Sequence, residues 1–461
     1  MTRTTLPRPP GPSARWFGLP LLGAMARDYL GFTQALHRQY GDISYMRIGF
    51  EQAYDVFSPE WIRQLLVDEA AHVIRWERGI EVFSQSQGQS VLTTEGAVWQ
   101  RQRRLLQPGF APRRMAGYAQ LMAAAAQQGL EALPAEPAFT LDFGHLMTQL
   151  TMDVIVRTLF SSESSQDVQD AEQAVRTLGA VAMREMFRPV TLPDWLPLPG
   201  KAQKRWALRR LDDIVWGHMR QRQQAPGSQD DLLNMLLQAR DEDGSGLTDT
   251  EIRDQCMTIF QAGHETSATA LTWWGWALAA HPACAERARA EVDQVLGGRC
   301  PGLADVAALP WLGQTIKESM RLFPAIAALM TRRIQAPVQL GPWQIPQGAM
   351  VRITPWVLHH EARWFPEPER FDPARFAPEA VAALPRGVYL PFGTGPRVCI
   401  GQHFALTEMT LIAALLLQRF DFEPLADSRP PEAALNVTLR PAQPLRLRLR
   451  RREPKPLGVA P

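Results

Sequence analysis

The sequence predicts a mainly α-helical fold with a small β portion, and three observations support this. Apolar residues recur with helical spacing over residues 115–133, 143–160, 168–187 and 201–224, and again over 247–281. Strand-like patterns are confined to short stretches, chiefly roughly 40–58 and 325–355. With 461 residues, 46% of them hydrophobic, the chain can bury a large core. This length alone allows one large domain or up to three ordinary ones. The chain opens with a proline-rich lead at 1–15.

Charge and cysteine usage exclude several classes of protein. Lys and Arg total 49 against 47 Asp and Glu, so the net charge of +2 gives no bias toward nucleic acid. Four cysteines at irregular spacing do not suggest a disulfide framework, which favours a reducing cytoplasm. The apolar piece 16–23 is short and is interrupted by Gly18 and Pro20, so we expect no membrane anchor.

Four segments outside the long helices have predicted structures of their own. Residues 42–49 and 53–58 flank a turn and are rich in β-branched and aromatic residues, which predicts a hairpin. The irregular stretch 70–94 is expected to be a long loop. Residues 403–420 read as a buried helix. Leucine and arginine alternate over 445–450, which predicts an edge strand with one solvated face.

A basic helical turn at 97–106 has two interpretations. Runs of this kind usually form a solvated helix face. Trp99 and Arg103, however, are four residues apart and so share one face, where both can donate hydrogen bonds to an anion. The remaining arginines nearby would offer a basic surface to an acidic partner; they are Arg101, Arg104, Arg113 and Arg114.

The segment 186–199 is apolar yet rich in proline, so it cannot be a helix interior. It is either a packed connector or a cover over an apolar chamber.

The long segment 247–281 carries polar residues at its centre. Its start is marked by a capping box, Thr248 with Glu251 three residues later. Its interior contains Ala262-Gly-His-Glu-Thr-Ser267, where glycine costs about 1 kcal/mol relative to alanine and a buried carboxylate costs more unless it has partners. Either the helix is kinked with a solvated Glu265, or the segment is a site in which Glu265 and Thr266 relay protons.

The glycine-rich loop 392–401 delivers one cysteine, Cys399, to the start of an apolar helical segment. Gly393, Gly395 and Gly401 let the backbone bend around the sulfur, and N–H groups stabilise a thiolate. A free cysteine is more often a small buried hydrophobic residue. No second cysteine or histidine stands at zinc spacing and no multi-cysteine run exists, so a single thiolate suits a haem iron.

The spacing of Phe392, Gly395, Arg397, Cys399 and Gly401 resembles the cysteine loop of the cytochrome P450 family of haem-thiolate monooxygenases, of the soluble bacterial type. The stretch Ala262-Gly-His-Glu-Thr266 is similar to the oxygen-activation motif of that family. The resemblance runs from the proline-rich start to the last helix. It implies the cytochrome P450 fold in a single catalytic domain over 1–461, with haem b between a long central helix and the cysteine loop.

The resemblance also implies roles for single residues. Cys399 would be the axial ligand of the haem iron, and Glu265 and Thr266 would manage protons, while His264 receives no role. The residues that would bind the haem are Trp99, Arg103, Ala262, Gly263, Arg332, Phe392, Arg397 and Gly401, with Arg333 as the rival of Arg332. A buried charge network of Glu318, Arg321 and Arg370 would hold the cysteine loop.

The implied reaction is insertion of one oxygen atom from O2 into a C–H bond of a hydrophobic small molecule such as a terpenoid, steroid or fatty acid. The expected substrate-lining residues are Phe83, Phe187, Phe260, Ala262, Ala325 and Leu329. No Gly-x-Gly-x-x-Gly follows a strand and no length remains for a flavin or ferredoxin domain, so we expect no bound flavin or NAD. Electrons would come from a separate ferredoxin or flavodoxin-type protein. The protein itself would be a monomer.

Two alternatives remain at this stage. The protein could be a peroxide-driven or rearranging haem-thiolate enzyme, or a non-catalytic haem sensor.

Overall fold

The computed structural model of the protein describes residues 8–186, 188, 190–225, 227, 229–425 and 430–453. The helices in these residues are α1 (Leu19–Arg27), α2 (Tyr29–Tyr40), α3 (Pro59–Arg63), α4 (Glu77–Gln87), α5 (Gly96–Leu106), α6 (Pro112–Glu131), α7 (Phe143–Phe160), α8 (Ser165–Met186), α9 (Lys201–Gln224), α10 (Leu232–Gln238), α11 (Asp249–Ala280), α12 (Pro282–Leu296), α13 (Leu303–Ala308), α14 (Pro310–Leu322), α15 (Pro355–His359), α16 (Pro378–Ala383) and α17 (Gln402–Arg419). The strands are β1 (Ile43–Ile48), β2 (Glu51–Val56), β3 (Val73–Arg75), β4 (Ala138–Asp142), β5 (Arg332–Ile334), β6 (Val338–Leu340), β7 (Trp343–Ile345), β8 (Met350–Arg352), β9 (Phe420–Pro424), β10 (Ala433–Leu435), β11 (Leu439–Pro441) and β12 (Arg446–Arg451).

The mainly helical fold predicted from the sequence is confirmed. The four periodic segments form α6 to α9, and α7 and α9 have the predicted bounds. The segment around Glu265 forms α11, a helix of 32 residues. Within the part of the chain that the structure describes, no helix combines the length and the apolarity needed to cross a bilayer.

The described chain divides into two compact units. The first consists of Met1–Ile80 and Arg321–Cys399, and the second of Glu81–Met320 and Ile400–Pro461. The single domain expected over 1–461 stays a prediction.

The first unit is built on a five-stranded sheet with the order β1-β2-β8-β5-β3. The predicted hairpin is present as β1 and β2, which pair antiparallel from Ile43 with Val56 to Ile48 with Glu51. Strand β8 then runs parallel to β2. Apolar side chains of both segments of this unit, such as Tyr54, Ile62 and Val351, close over the sheet in one core. Both predicted β stretches therefore belong to one sheet.

The second unit is a helical body around α11. Helices α7, α8 and α9 pack against α11, and α17 packs against both α6 and α11. Helix α7 buries residues on all its faces, because it lies between α6, α8 and α11. Two small sheets complete this unit, the three strands β4-β12-β9 and the hairpin of β10 and β11.

Two sequence predictions about single elements are wrong. The alternating segment near the C-terminus forms β12, which is the central strand of its sheet and not an edge, because β4 and β9 pair with its two sides. Its alternation instead reflects one buried and one exposed face. The stretch 70–94 contains β3 and the helix α4. Helix α4 escaped prediction because its Gln, Ser and Gly residues blur the apolar spacing.

Candidate active site

The cysteine loop of the first unit is bent around two glycines. Gly393 and Gly395 have φ of 72° and 75°, a conformation that glycine adopts without strain. A Cβ on Gly395 would lie 2.0 Å from the carbonyl oxygen of Leu66, so only glycine fits there. The N–H of Cys399 donates to the oxygen of Phe392 at 3.0 Å and closes the loop. The loop thus presents the side chain of Cys399 at an exposed position.

Two further predicted residues flank Cys399. Arg397 is half-buried in the short 3-10 turn Gly395–Arg397. Gly401 is the N-cap of α17, whose first turn closes when Ala405 N–H donates to Gly401 O at 2.8 Å. Their spacing around the cysteine follows from one tight loop that leads into a helix.

Helix α11 of the second unit begins at the capping box predicted for it. The Thr248 side chain accepts from Glu251 N–H at 3.2 Å, and the Glu251 carboxylate accepts from Thr248 N–H at 2.8 Å. Each side chain satisfies a backbone donor that the helix leaves free. The capping box therefore fixes the residue at which α11 begins.

The centre of α11 has an open side in a helix that is otherwise mostly buried. Ala262 is exposed, and Glu265 and Thr266 are half-buried. Thr266 Oγ1 donates to Ala262 O at 2.9 Å, the back-bond that hydroxyl residues form inside helices. Glu265 Oε1 accepts from the hydroxyl of Thr438 at 2.8 Å. The two predicted proton-handling residues therefore share this open stretch, and the carboxylate of Glu265 is held by a residue outside the helix.

Gly263 and His264 serve helix packing. A Cβ on Gly263 would lie 2.8 Å from Cδ1 of Ile155 in α7, so close packing of α7 and α11 accounts for this glycine. The expectation that Gly263 also gives a cofactor close approach stays a prediction. His264 is buried and its Nδ1 hydrogen-bonds to Phe260 O at 2.9 Å. Burial lowers its pKa, so the imidazole is neutral near pH 7.

The expected substrate-lining residues divide into three groups. Phe83, Ala325 and Leu329 are half-buried and Ala262 is exposed, as lining residues can be. Phe260 is wrong, because it is fully buried in the core, with its ring 5.4 Å from that of Phe160. Phe187 lies outside the described residues.

The structure separates the two rival arginines of β5. Arg333 forms ion pairs with Glu51 at 2.6 Å and with Glu77 at 3.0 Å, so its charge is matched by two carboxylates. Arg332 is half-buried, and Met330 O accepts from its Nη1. Neighbouring residues in a strand face opposite sides. Arg332 is therefore the better candidate for an anionic cofactor group.

One member of the predicted charge network is wrong. Glu318 and Arg321 are fully buried on α14, and Arg321 donates to the oxygens of His359 at 2.7 Å and Arg370 at 3.3 Å. The guanidinium of Arg370 is instead 62% exposed and pairs with Glu367. Only the backbone carbonyl of Arg370 reaches Arg321, because its side chain points to the surface.

The more buried guanidinium in this region belongs to Arg375, five residues further on. It is half-buried, and its Nη2 donates to Glu367 O at 3.0 Å. Both arginines precede a phenylalanine, Phe371 and Phe376, so the sequence offers two equivalent Arg-Phe pairs. Burial alone distinguishes them.

Helix α5 carries the pair predicted on one face. Trp99 and Arg103 are both half-buried on it. The arginines around them are less available than the sequence suggests. Arg101 pairs with Glu251 at 2.9 Å, Arg104 with Asp241 at 2.8 Å and Arg114 with Asp230 at 2.6 Å, whereas Arg113 is exposed. Most of the expected basic surface is thus neutralised within the second unit.

Two buried polar residues near α11 were not among the predicted site residues. Thr438 precedes β11 and is 1% exposed. Glu408 is fully buried in α17, and burial raises its pKa to about 8. A lone carboxyl in the apolar stretch 403–420 was the one sequence signal for Glu408. Nothing in the sequence marks Thr438, because its contact with α11 joins residues 173 positions apart.

The glycine-bent loop that carries the Cys399 thiol and the long helix with Thr266 back-bonded at its open centre are features expected of a haem-thiolate protein. The model of the cytochrome P450 family matches residues 9–449. The chain belongs to this family.

Three relatives from Streptomyces are similar along most of their length. The chain is 35% identical to a cyclooctatin synthase of Streptomyces melanosporofaciens over 440 residues, covering 93% of this chain and 94% of the relative. It is 34% identical to a pentalenene oxygenase of Streptomyces avermitilis over 445 residues, covering 95% and 96%. A cyclooctat-9-en-7-ol 5-monooxygenase of S. melanosporofaciens is 35% identical over 416 residues, or 88% of each chain. The protein is a cytochrome P450 monooxygenase that uses haem and O2 and takes electrons from a redox partner.

Proposed function

We propose that this P450 hydroxylates a neutral, hydrophobic terpenoid, with electrons from a separate ferredoxin or flavodoxin-type protein. The observation that carries the proposal is the Cys399 side chain, exposed on a loop whose conformation two glycines and one backbone hydrogen bond fix. A fixed thiol at an exposed position can serve as a metal ligand, whereas a structural cysteine is buried. The loop therefore fits a haem group.

We propose that the thiolate of Cys399 would hold the haem iron. When bound, a haem with a thiolate ligand activates O2 and supplies the oxidising power for C–H hydroxylation. The backbone of Cys399 is hydrogen-bonded to Phe392, so the sulfur keeps its position when a ligand bond forms. Phe392 and Gly401 bound this loop and are assigned to the same binding site.

The open centre of α11 is assigned to proton handling. The hydroxyl of Thr266 donates its hydrogen bond to Ala262 O. Rotation of the hydroxyl about one bond would let it donate to another acceptor instead. Glu265 supplies a carboxylate in the adjoining position. General acid–base groups of this kind contribute about 10² to 10⁴ in rate. Ala262 is assigned to contact with the flat face of the cofactor because its small side chain is exposed.

Four donors are assigned to the haem propionates: Trp99, Arg103, Arg332 and Arg397. Each is half-buried, where a charge-assisted hydrogen bond is stronger than at a fully exposed position. The ion pairs of Arg333 with Glu51 and Glu77 support Arg332 over its neighbour. Glu318 and Arg321 are assigned a structural role. Both are buried charged residues, and removing a partner from a buried charge strongly destabilises a fold.

The substrate class rests on the apolar lining candidates and on the relatives. Phe83, Ala262, Ala325 and Leu329 are apolar and partly exposed, and binding sites for small molecules are lined mostly by such side chains. The names of two relatives refer to pentalenene, an olefin, and to cyclooctat-9-en-7-ol, an unsaturated alcohol. Both are neutral. The cytoplasmic location and the monomeric state stay predictions.

A spectral screen tests this proposal. The haem protein is titrated with a library of olefins, steroids, fatty acids and charged polar compounds, and the substrate-induced Soret shift is recorded for each. We expect neutral olefins and alcohols to give the largest shifts and to yield hydroxylated products with NADH, a ferredoxin and its reductase. Shifts with charged polar compounds alone would overturn the substrate class. Equal product formation from hydrogen peroxide without a reductant would favour a peroxide-driven enzyme.

A further inference from the structure

The hairpin of β10 and β11 is attached to α11 by two hydrogen bonds from adjacent residues. Thr438 Oγ1 donates to Glu265 Oε1 at 2.8 Å. The indole N–H of Trp273, eight residues along the same helix, donates to Leu439 O at 2.7 Å. Thr438 and Leu439 are 1% and 0% exposed. The bond from Trp273 is fully buried, and the bond to the half-buried Glu265 is partly buried. The hairpin is therefore fixed against the helix at the level of Glu265.

Glu265 depends on this hairpin for its orientation. Among the described residues, no lysine, arginine or histidine forms an ion pair with Glu265, and the Thr438 hydroxyl is its one hydrogen-bond donor. Most other acids around α11 differ, since Asp254 pairs with Arg253 at 2.8 Å and Glu251 pairs with Arg101. On its other side the carboxylate faces Gly179 of α8, where a Cβ would lie 3.7 Å from Oε2. A single hydroxyl thus sets the position of the carboxylate.

The hydroxyl of Thr438 is itself held rigidly. The Thr438 carbonyl accepts from Asn436 N–H at 3.0 Å, and β11 begins at the next residue with Leu439 opposite Leu435. A β-branched side chain has few rotamers, so its hydroxyl keeps one direction when the backbone is fixed. A rigid neutral donor fixes the direction of the Glu265 carboxylate, and it stabilises the fold less than an ion pair with a cation would.

We propose that Thr438 is a positioning residue for hydroxylation, holding the Glu265 carboxylate in the orientation from which it delivers protons. This inference rests on the proposed function, which assigns proton handling to Glu265. The hairpin thereby becomes part of the machinery that α11 carries, although it contributes no group to the reaction itself.

The first test needs no substrate and measures coupling between the two side chains. The holoprotein is unfolded in urea as wild type, Thr438→Val, Glu265→Gln and the double variant. Thr438→Val should lower the unfolding midpoint of the wild type. In the Glu265→Gln protein it should lower the midpoint by less than half as much, because Glu265→Gln has already weakened the hydrogen bond between the two side chains. Trp273→Phe is the matched control. It removes the other attachment of the hairpin and should combine additively with Glu265→Gln.

The second test reads proton delivery. NADH consumption is followed with a ferredoxin and its reductase in H2O and in D2O. Loss of one positioning hydrogen bond should slow consumption about fivefold in Thr438→Val and raise the solvent isotope effect, since proton delivery then limits the rate. Thr438→Ser retains the hydroxyl, so its rate of NADH consumption and its solvent isotope effect should match those of the wild type. The solvent isotope effect of Trp273→Phe should also equal the wild-type value.

The outcomes distinguish the inference from the proposed function. Additive midpoints, or a wild-type isotope effect in Thr438→Val while Glu265→Gln raises it, would overturn the positioning role and leave the proton role of Glu265 intact. An unchanged isotope effect in Glu265→Gln would overturn the proton role and the positioning role together.

Discussion

Glu408 makes the stability of the protein depend on pH in a direction opposite to most carboxylates. The residue is fully buried in α17, and neither of its carboxyl oxygens has a hydrogen-bond partner among the described residues. Ser267 of α11 is close enough to lower the pKa slightly, but its hydroxyl donates to Gly263 O at 3.5 Å. Burial dominates and raises the pKa of Glu408 to about 8. The folded protein therefore holds this proton at neutral pH.

The magnitude follows from linkage between protonation and folding. In the unfolded chain a glutamate has a pKa of about 4.3, so between pH 5 and 7 the unfolded state has lost a proton that the folded state keeps. The free energy of unfolding then falls by about 1.4 kcal/mol for each pH unit. The contribution of Glu408 is fully present below pH 4 and is lost as pH rises toward 8. Across pH 5 to 7 the loss is about 2.7 kcal/mol.

The substitution Glu408→Gln removes this slope because an amide does not ionise. Urea unfolding of the wild-type and variant holoproteins is measured at pH 5, 6 and 7 by tryptophan fluorescence and by the Soret band. We expect the variant to gain about 1.4 kcal/mol on the wild type per pH unit. Glu286→Gln makes the same chemical change at an exposed position of α12 and should give a constant difference. A constant difference for Glu408→Gln as well would refute the reasoning.

Three further predictions concern single side chains. Gly263→Ala should cost about 1 to 3 kcal/mol of stability in thermal unfolding by overpacking against Ile155, and Ile155→Val should recover part of the loss; no loss would contradict the packing role. Arg370→Ala should change stability by less than about 0.5 kcal/mol in urea unfolding, because its exposed pair with Glu367 contributes little; a loss of several kcal/mol would restore its place in a buried network. Burial raises the pKa of Cys256, so it should resist alkylation in mass spectrometry of the native protein at pH 8, and rapid labelling would contradict its burial.

Features that depend on local chemistry could be predicted from the sequence. The capping box of α11 and the glycine-bent loop before Cys399 each depend on residues within ten positions. The helices α7 and α9 were bounded correctly because apolar spacing and their flanking breakers agree. Local signals therefore gave both motifs on which the proposed site rests.

Features that depend on distant contacts could not be predicted. Strand β12 was expected at an edge because alternation reports which faces are buried and says nothing about how many neighbours pair with it. Arg370 was chosen over Arg375 because both precede phenylalanine, and only folding determines which guanidinium turns inward. Phe260 lies on the core side of α11 because α7 and α8 cover that side of the helix.

The central claim is that the sulfur of Cys399 binds the haem iron, and one spectrum tests it directly. The purified protein is reduced with dithionite and exposed to carbon monoxide, in the wild type and in Cys399→Ala. The account predicts the red-shifted Soret band of a thiolate-ligated haem in the wild type and its loss in the variant. A wild type without that band, or a variant that keeps it, would contradict the account.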